Sequence, residues 1–191
     1  MLREKPIGGG VLGHGRSFPN RATGRGVGGD STPVTAIPPS RSRADVRLRP
    51  AAAADFAFVH AARVAGLREH VARLWGWDDA AQEARFRARF DPAGYQIIVV
   101  DGQDIGALSV LWSEQEVLLV DIELLPAWHG RGLGTAIVRA SIAEAHAAGL
   151  PLFLQVLRGN PARRLYERLG FRETGETESH IRMRIDPPER N

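Results

Sequence analysis

Residues 121–138 read DIELLPAWHGRGLGTAIV, and the fold of the chain follows from this stretch. A short apolar strand carrying Asp121 and Glu123 breaks at Pro126, passes through a loop containing Gly130, Gly132 and Gly134, and opens directly into an amphipathic helix. Such a strand, glycine turn and helix outline a phosphate site. Backbone N–H groups converge there without Cβ atoms in the way, and the positive end of the helix dipole favours an anion. The glycines are not spaced as G-x-G-x-x-G, and no Lys followed by Ser or Thr comes after the last one. Neither a dinucleotide fold nor a nucleoside-triphosphate P-loop fits.

HGRGLG, residues 129–134, resembles the pyrophosphate loop of the GCN5-related N-acetyltransferases, the GNAT superfamily, whose pattern is Gln or Arg, two residues, Gly, any residue, then Gly or Ala. Two further segments carry the likeness. IELLP before the loop resembles the family's fourth strand, and NPARRLYERLGF, residues 160–171, resembles its Asn, Leu-Tyr and Gly-Phe segment. LREHVARLWGWDDAAQ, residues 67–82, looks like a recurring WGWD-containing branch of the superfamily. The resemblance implies a mixed α/β fold, a twisted sheet of six to seven strands flanked by about four helices. It further implies acetyl-CoA as co-substrate and a primary amine as acceptor, attacking directly in a ternary complex. A non-catalytic acyl-CoA-binding domain of the same fold is the alternative.

Composition sets the boundaries. The chain has 191 residues, enough for one domain with its own core, and no Cys, so neither a disulfide framework nor a thiolate metal site is available. The net charge of +3 is unevenly placed: residues 1–44 hold seven basic and two acidic side chains, the remainder 18 basic and 20 acidic. The domain itself is therefore not a basic surface, and no nucleic-acid partner is expected for it. Residues 1–44, with nine Gly and five Pro, are expected to be a disordered extension preceding a domain over 45–191. No metal site, membrane span or signal peptide is expected, so the expected setting is cytoplasmic, and a homodimer is compatible with the family.

Periodicity supplies the elements. A strand over 46–49 precedes a helix over 52–74, where Phe56, Val59, Val64, Leu67, Val71 and Leu74 share a face interrupted by Gly66. Asp78 is placed to cap a second helix over 80–90. Strands over 96–101, 105–112 and 117–125 are joined by short polar turns as an antiparallel meander. A helix over 134–148, with Ile137, Ala140, Ser141, Ala145 and Ala148 on one face, crosses over to an apolar strand at 152–157. A short helix over 161–169, capped by Asn160, and a hairpin of 171–174 with 180–185 complete the domain.

The resemblance then assigns roles. Backbone N–H groups of Gly130, Arg131, Gly132, Leu133, Gly134 and Thr135 would hold the coenzyme's phosphates, with Arg131 adding charge at the rim; His129 stands where the family has Gln or Arg. The backbone of Ile122, Glu123 and Leu124, and the side chain of Asn160, would meet the pantetheine arm. Tyr166 would protonate the departing thiolate. Simple alternation puts Leu118, Val120, Ile122 and Leu124 on one face of their strand and Leu119, Asp121, Glu123 and Leu125 on the other. Two carboxylates on a core strand need a cleft or a partner. Glu123 is the first candidate for the general base, while Asp121 is the second or would bind the acceptor's ammonium; pairing with arginines for structure is the alternative for both. Arg68, Trp75 and Trp77 fall where such enzymes bind the acceptor, although the indoles could equally lock two helices together.

Overall fold

The computed structural model describes residues 45–189, so the expected disordered extension at 1–44 lies outside the described residues. Seven strands and four α-helices are found among those residues: β1 (Val46–Pro50), α1 (Phe56–Trp75), α2 (Asp79–Arg89), β2 (Gln96–Val100), β3 (Gln103–Trp112), β4 (Val117–Leu124), α3 (Leu133–Ala147), β5 (Leu152–Leu157), α4 (Ala162–Arg168), β6 (Arg172–Glu176) and β7 (His180–Ile185). They form one sheet in the order β1-β2-β3-β4-β5-β7-β6. Short turns join the antiparallel pairs β2–β3, β3–β4 and β6–β7. Longer connections through helices join β1 to β2 and β5 to β7, also antiparallel, and α3 crosses between β4 and β5 and leaves that pair parallel. No helix among the described residues is long and apolar enough to cross a membrane.

Each face of the sheet carries a buried core. On one, α3 lays Leu133, Ile137 and Val138 on Ile98, Val100, Leu108, Leu119 and Leu154. On the other, Val59 of α1 and Phe86 of α2 meet Ile97 and Ala107. Phe86, 1% exposed, is ringed by Phe56, Phe90 and Tyr95 at centroid distances of 5.6, 5.4 and 6.1 Å, and so joins α1, α2 and the start of β2. The buried stripe of α3 begins at Leu133 and includes Val138, whereas the expected Ala148 lies exposed beyond the helix end. Helix α1 begins later than the apolar spacing implies, after a 3-10 turn at Ala53–Asp55. Asp55 ends that turn because its carboxylate accepts from Ala52 N–H at 2.8 Å and from the Arg49 guanidinium at 2.8 and 2.9 Å. Asp78 caps α2 as expected, accepting from Ala81 N–H at 3.0 Å.

One departure from regular pairing shapes the centre of the sheet. Ser109 faces Asp121 across the β3–β4 ladder, but Val110 faces Leu119, leaving Val120 as an extra, unpaired residue. This β-bulge reverses the alternation of side chains. Leu119 consequently shares the α3 core with Ile122 and Leu124, and not the face of Asp121 and Glu123 as unbroken alternation would have it. The same bulge bends β4 away from β5: their pairing covers Val117, Leu118 and Leu119 opposite Leu152, Phe153 and Leu154, and ends there.

Truncating Phe86 to Ala should cost about 3–5 kcal/mol, read from urea unfolding, because the cavity would open where two helices meet the sheet.

Candidate active site

Where β4 and β5 part, a cleft of about 1250 Å³ passes through the sheet. Its walls include Gly66 of α1, Glu123 of β4, Gly132 and Thr135 at the start of α3, Gln155 of β5, and Tyr166 of α4. The β4 backbone also opens onto it. Leu125 N–H donates to Ile105 C=O at 2.8 Å, which makes the facing residues Gly106 and Leu124 a non-hydrogen-bonded pair. The polar groups of Leu124 therefore turn away from β3, and by alternation those of Ile122 do the same, while the backbone groups of Glu123 face β3. His129 uses one of these groups: its Nε2 lies 2.8 Å from Leu124 C=O. A carbonyl can only accept, so Nε2 carries the proton and donates, tying the glycine loop to the end of β4.

The loop presents a bare cradle. Gly130 and Gly132 have φ of 72° and 79°, and a Cβ built at either would have no neighbour within 4 Å. Gly132 is the N-cap of α3 and supplies no side-chain acceptor, and the first backbone bond of the helix runs from Ala136 N–H to Gly132 C=O at 3.0 Å. The N–H groups of Leu133, Gly134 and Thr135 thus lack an intrahelical partner and share the positive end of a 15-residue helix. Arg131 lies beside them, its guanidinium 4.7 Å from the Trp128 ring centroid. These residues fit a diphosphate.

The two carboxylates of β4, adjacent on one face, have separate fates. Asp121 accepts from Arg63 Nη1 at 2.5 Å through Oδ1 and from the Tyr95 hydroxyl at 2.7 Å through Oδ2. Arg63 is 8% exposed; burial opposes its charge, but Asp121 and then Glu123 outweigh that and raise its pKa. Asp121, which also borders the cleft, is thus paired with an arginine, as the structural alternative for the carboxylates has it. Glu123 has no hydrogen bond or ion pair among the described residues. Burial, followed by the neighbouring Asp121 charge, pushes its carboxyl up to about 8, against the partial opposition of Arg63. Sequence reasoning missed what makes room for it. A Cβ on Gly66 would collide with Glu123 Oε2, so the glycine inside α1 is an indentation that accepts this carboxylate. A mid-helix glycine costs about 1 kcal/mol in helix propensity, and that local misfit was its only sequence signal.

Tyr166 is 8% exposed and packs edge-on to Phe171 at 5.8 Å. Burial first, then the charges of Glu123 and Asp121, push its phenol up to about 12, so it remains protonated at any physiological pH. Asn160 borders the cleft, but its Oδ1 accepts from Ala162 N–H at 2.9 Å and so starts α4. His180 also borders the cleft, with Nδ1 2.8 Å from Ser179 Oγ, and burial lowers its pKa. The expected acceptor residues Arg68, Trp75 and Trp77 are not among the side chains lining the cleft. Trp77 Nε1 donates to Asp79 at 2.8 Å, and Arg68 pairs with Asp79 at 3.2 Å while covering the Trp77 ring at 5.8 Å. This arrangement of Arg68, Trp77 and Asp79 joins α1 to the start of α2.

Comparison with known proteins accords with the geometry. The Acetyltransferase (GNAT) family model matches residues 62–171, more than half of the chain, so the chain belongs to this acetyltransferase family. Ard1 from Thermoplasma volcanium has a similar structure, with 18% identity, a TM-score of 0.55, and coverage of 75% of this chain and 99% of that one. The PaiA N-acetyltransferase from Thermoplasma acidophilum, solved in complex with coenzyme A, is 15% identical with a TM-score of 0.59, covering 74% and 98%. The ribosomal-protein-S18-alanine N-acetyltransferase from Escherichia coli is 20% identical with a TM-score of 0.52, covering 76% and 96%. These likenesses show the fold. No curated protein has a significantly similar sequence.

Two outcomes follow for Glu123. Its folded carboxyl titrates near 8 against an ordinary 4.5, so the native state holds the extra proton between those values and stability falls as pH rises across that window. Glu123→Gln should flatten this decline, giving a higher Tm than the parent at pH 8 and a matching Tm at pH 4.5, read by calorimetric scans. Gly66→Ala should gain none of its usual helix benefit of about 1 kcal/mol in the parent but should recover it beside Glu123→Ala. Additive unfolding energies in that double-mutant cycle would refute the indentation.

Proposed function

We propose that this chain binds acetyl-CoA and transfers the acetyl group to a primary amine by direct attack in a ternary complex. The observation that carries this reading is the parting of β4 from β5. It brings the uncapped N–H groups of α3, the outward backbone of Ile122 and Leu124, Glu123 and Tyr166 to one cleft. PaiA in complex with coenzyme A, and the N-acetyltransferase activities named for two structural neighbours, support the same reading.

Backbone N–H groups from Gly130 to Thr135 hold the diphosphate, and Arg131 adds charge at the rim. Ile122 and Leu124 offer backbone partners to the pantetheine amides, and Asn160 borders the same path. When bound, acetyl-CoA supplies an acyl group activated as a thioester. Glu123 removes a proton from the acceptor's ammonium, and a carboxylate titrating near 8 is a far stronger base than an ordinary one. The amine nitrogen bonds to the acyl carbon, the carbon–sulfur bond breaks, the Tyr166 hydroxyl gives its proton to the departing sulfur, and the second proton that the nitrogen sheds in becoming an amide restores the phenol. The chain has no Cys, so no cysteinyl acyl carrier is available for a ping-pong route. The absence of Cys also supports a cytoplasmic setting, and the WGWD segment at 75–78 supports placement in a distinct branch of the family.

Titration calorimetry with acetyl-CoA and CoA on the full chain tests the site, with Gly132→Glu as control. Saturable binding lost in that variant is the expected result, and no binding by folded protein would sink the proposal. An amine screen for thiol release follows. Tyr166→Phe should lower kcat about 10²–10⁴-fold with little change in coenzyme affinity. The parent's kcat/KM should rise with pH to a plateau above about 8, and Glu123→Gln should lose that limb. Coenzyme binding with no thiol release from any amine would leave a non-catalytic acyl-CoA-binding domain.

A further inference from the structure

The face of the sheet that carries Glu123 continues past the cleft as a row of arginines. Leu154 and Val156 of β5, and Ile181 and Met183 of β7, belong to the α3 core. The intervening residues Phe153, Gln155, Arg182 and Arg184 therefore project from the opposite side, the side of Asp121 and Glu123. Gln155 lines the cleft, and Arg182 is its direct partner across β7. Arg184 stands opposite Phe153 on one side and opposite Arg172 of β6 on the other. Its guanidinium lies 5.0 Å from the Phe153 ring centroid and pairs with Asp186. Arg172 and Arg182 are exposed, and neither forms a side-chain ion pair among the described residues.

Two like charges directly opposite each other on antiparallel strands destabilise the pair. Some surface arginines elsewhere are answered locally, as Arg163 is by Glu167 and Glu173. Beside the cleft, three arginines meet one carboxylate. The chain's own residues 1–44 carry a surplus of basic side chains and have the wrong sign to cover this strip.

Building on the amine-acceptor reading above, we propose that the acceptor is a polypeptide N-terminus with acidic side chains in its first few residues. The terminal amine enters the gap beside Glu123, and the following carboxylates lie along Arg182, Arg184 and Arg172. The dimensions favour a chain over a small amino acid. Strands lie about 4.8 Å apart and Arg172 pairs two residues further along β7 than Gln155 does, so the two are separated by about 12 Å, the length of roughly three to four extended residues. A single α-carboxylate next to the amine cannot span that strip. Charge-assisted bonds from guanidinium groups are directional enough to set the peptide's path as well as its affinity.

The test uses the full chain with saturating CoA and hexapeptides labelled at the C-terminus, each with a free N-terminal alanine followed by three Glu, three Gln or three Lys residues. Fluorescence anisotropy should give about tenfold tighter binding of the Glu peptide than of the Gln peptide at low salt, with the preference shrinking as salt is raised. Arg172→Ser with Arg182→Ser should erase the preference, and Arg172→Glu with Arg182→Glu should shift it to the Lys peptide. CoA affinity and Tm serve as controls for folding. Equal binding of the Glu and Gln peptides overturns the proposal. So does a dimer formed through this face, dissociated by the charge-reversed variant and showing no peptide preference. The binding measurement needs no turnover: absence of thiol release with every amine in the screen would refute the catalytic reading, while loss of the acidic preference refutes this one.

Discussion

A parallel strand pair that begins to form and cannot continue is the constraint on which the remaining structure depends. Val120 adds a residue to β4 with no counterpart in β3, and the strand must bend to accommodate it. Everything beyond Leu119 then faces a space instead of β5. A closed sheet would have consumed the backbone groups of Ile122 and Leu124 in a ladder and would have left Asp121 and Glu123 against packed side chains. The bend releases the first pair for a ligand and gives the second pair an opening. It also determines which side chains belong to the α3 core and which belong to the cleft.

The contrast between Asp121 and Glu123 shows how position alone separates two acids of similar chemistry. Arg63 and Tyr95 occupy both oxygens of Asp121, whose charge is thereby held in place. Glu123 is left without a hydrogen-bonding partner and beside a fixed negative neighbour, and burial first, then that charge, keeps its proton to higher pH. The structural carboxylate thus helps to tune the other, and Arg63, reaching Asp121 directly, acts on Glu123 only through its field.

Much of this was legible in the residues. The order of strands and helices, the crossover, the N-cap at Asp78 and the glycine cradle all arise from local patterns, and local patterns survive without knowledge of the partner. The β4 bulge did not, because VLLVDIEL contains no Gly or Pro to mark it and the extra residue is defined only relative to β3. The faces assigned by simple alternation were consequently wrong at Leu119. Arg68 and Trp77 carried the right chemistry for a ligand, but a near neighbour, Asp79, satisfies both. The arginine strip was invisible for a related reason: Arg172 and Arg184 are brought together by pairing of the last two strands.

Gly66 offers a way to read relatives of this chain. A helix with a vacant Cβ position facing a carboxylate on a distant strand couples two residues far apart in the chain. Where an equivalent helix carries a side chain there, the strand acid must be shorter, turned aside or replaced. A residue usually dismissed as a weak point in a helix therefore bears on where the acid of a distant strand can lie.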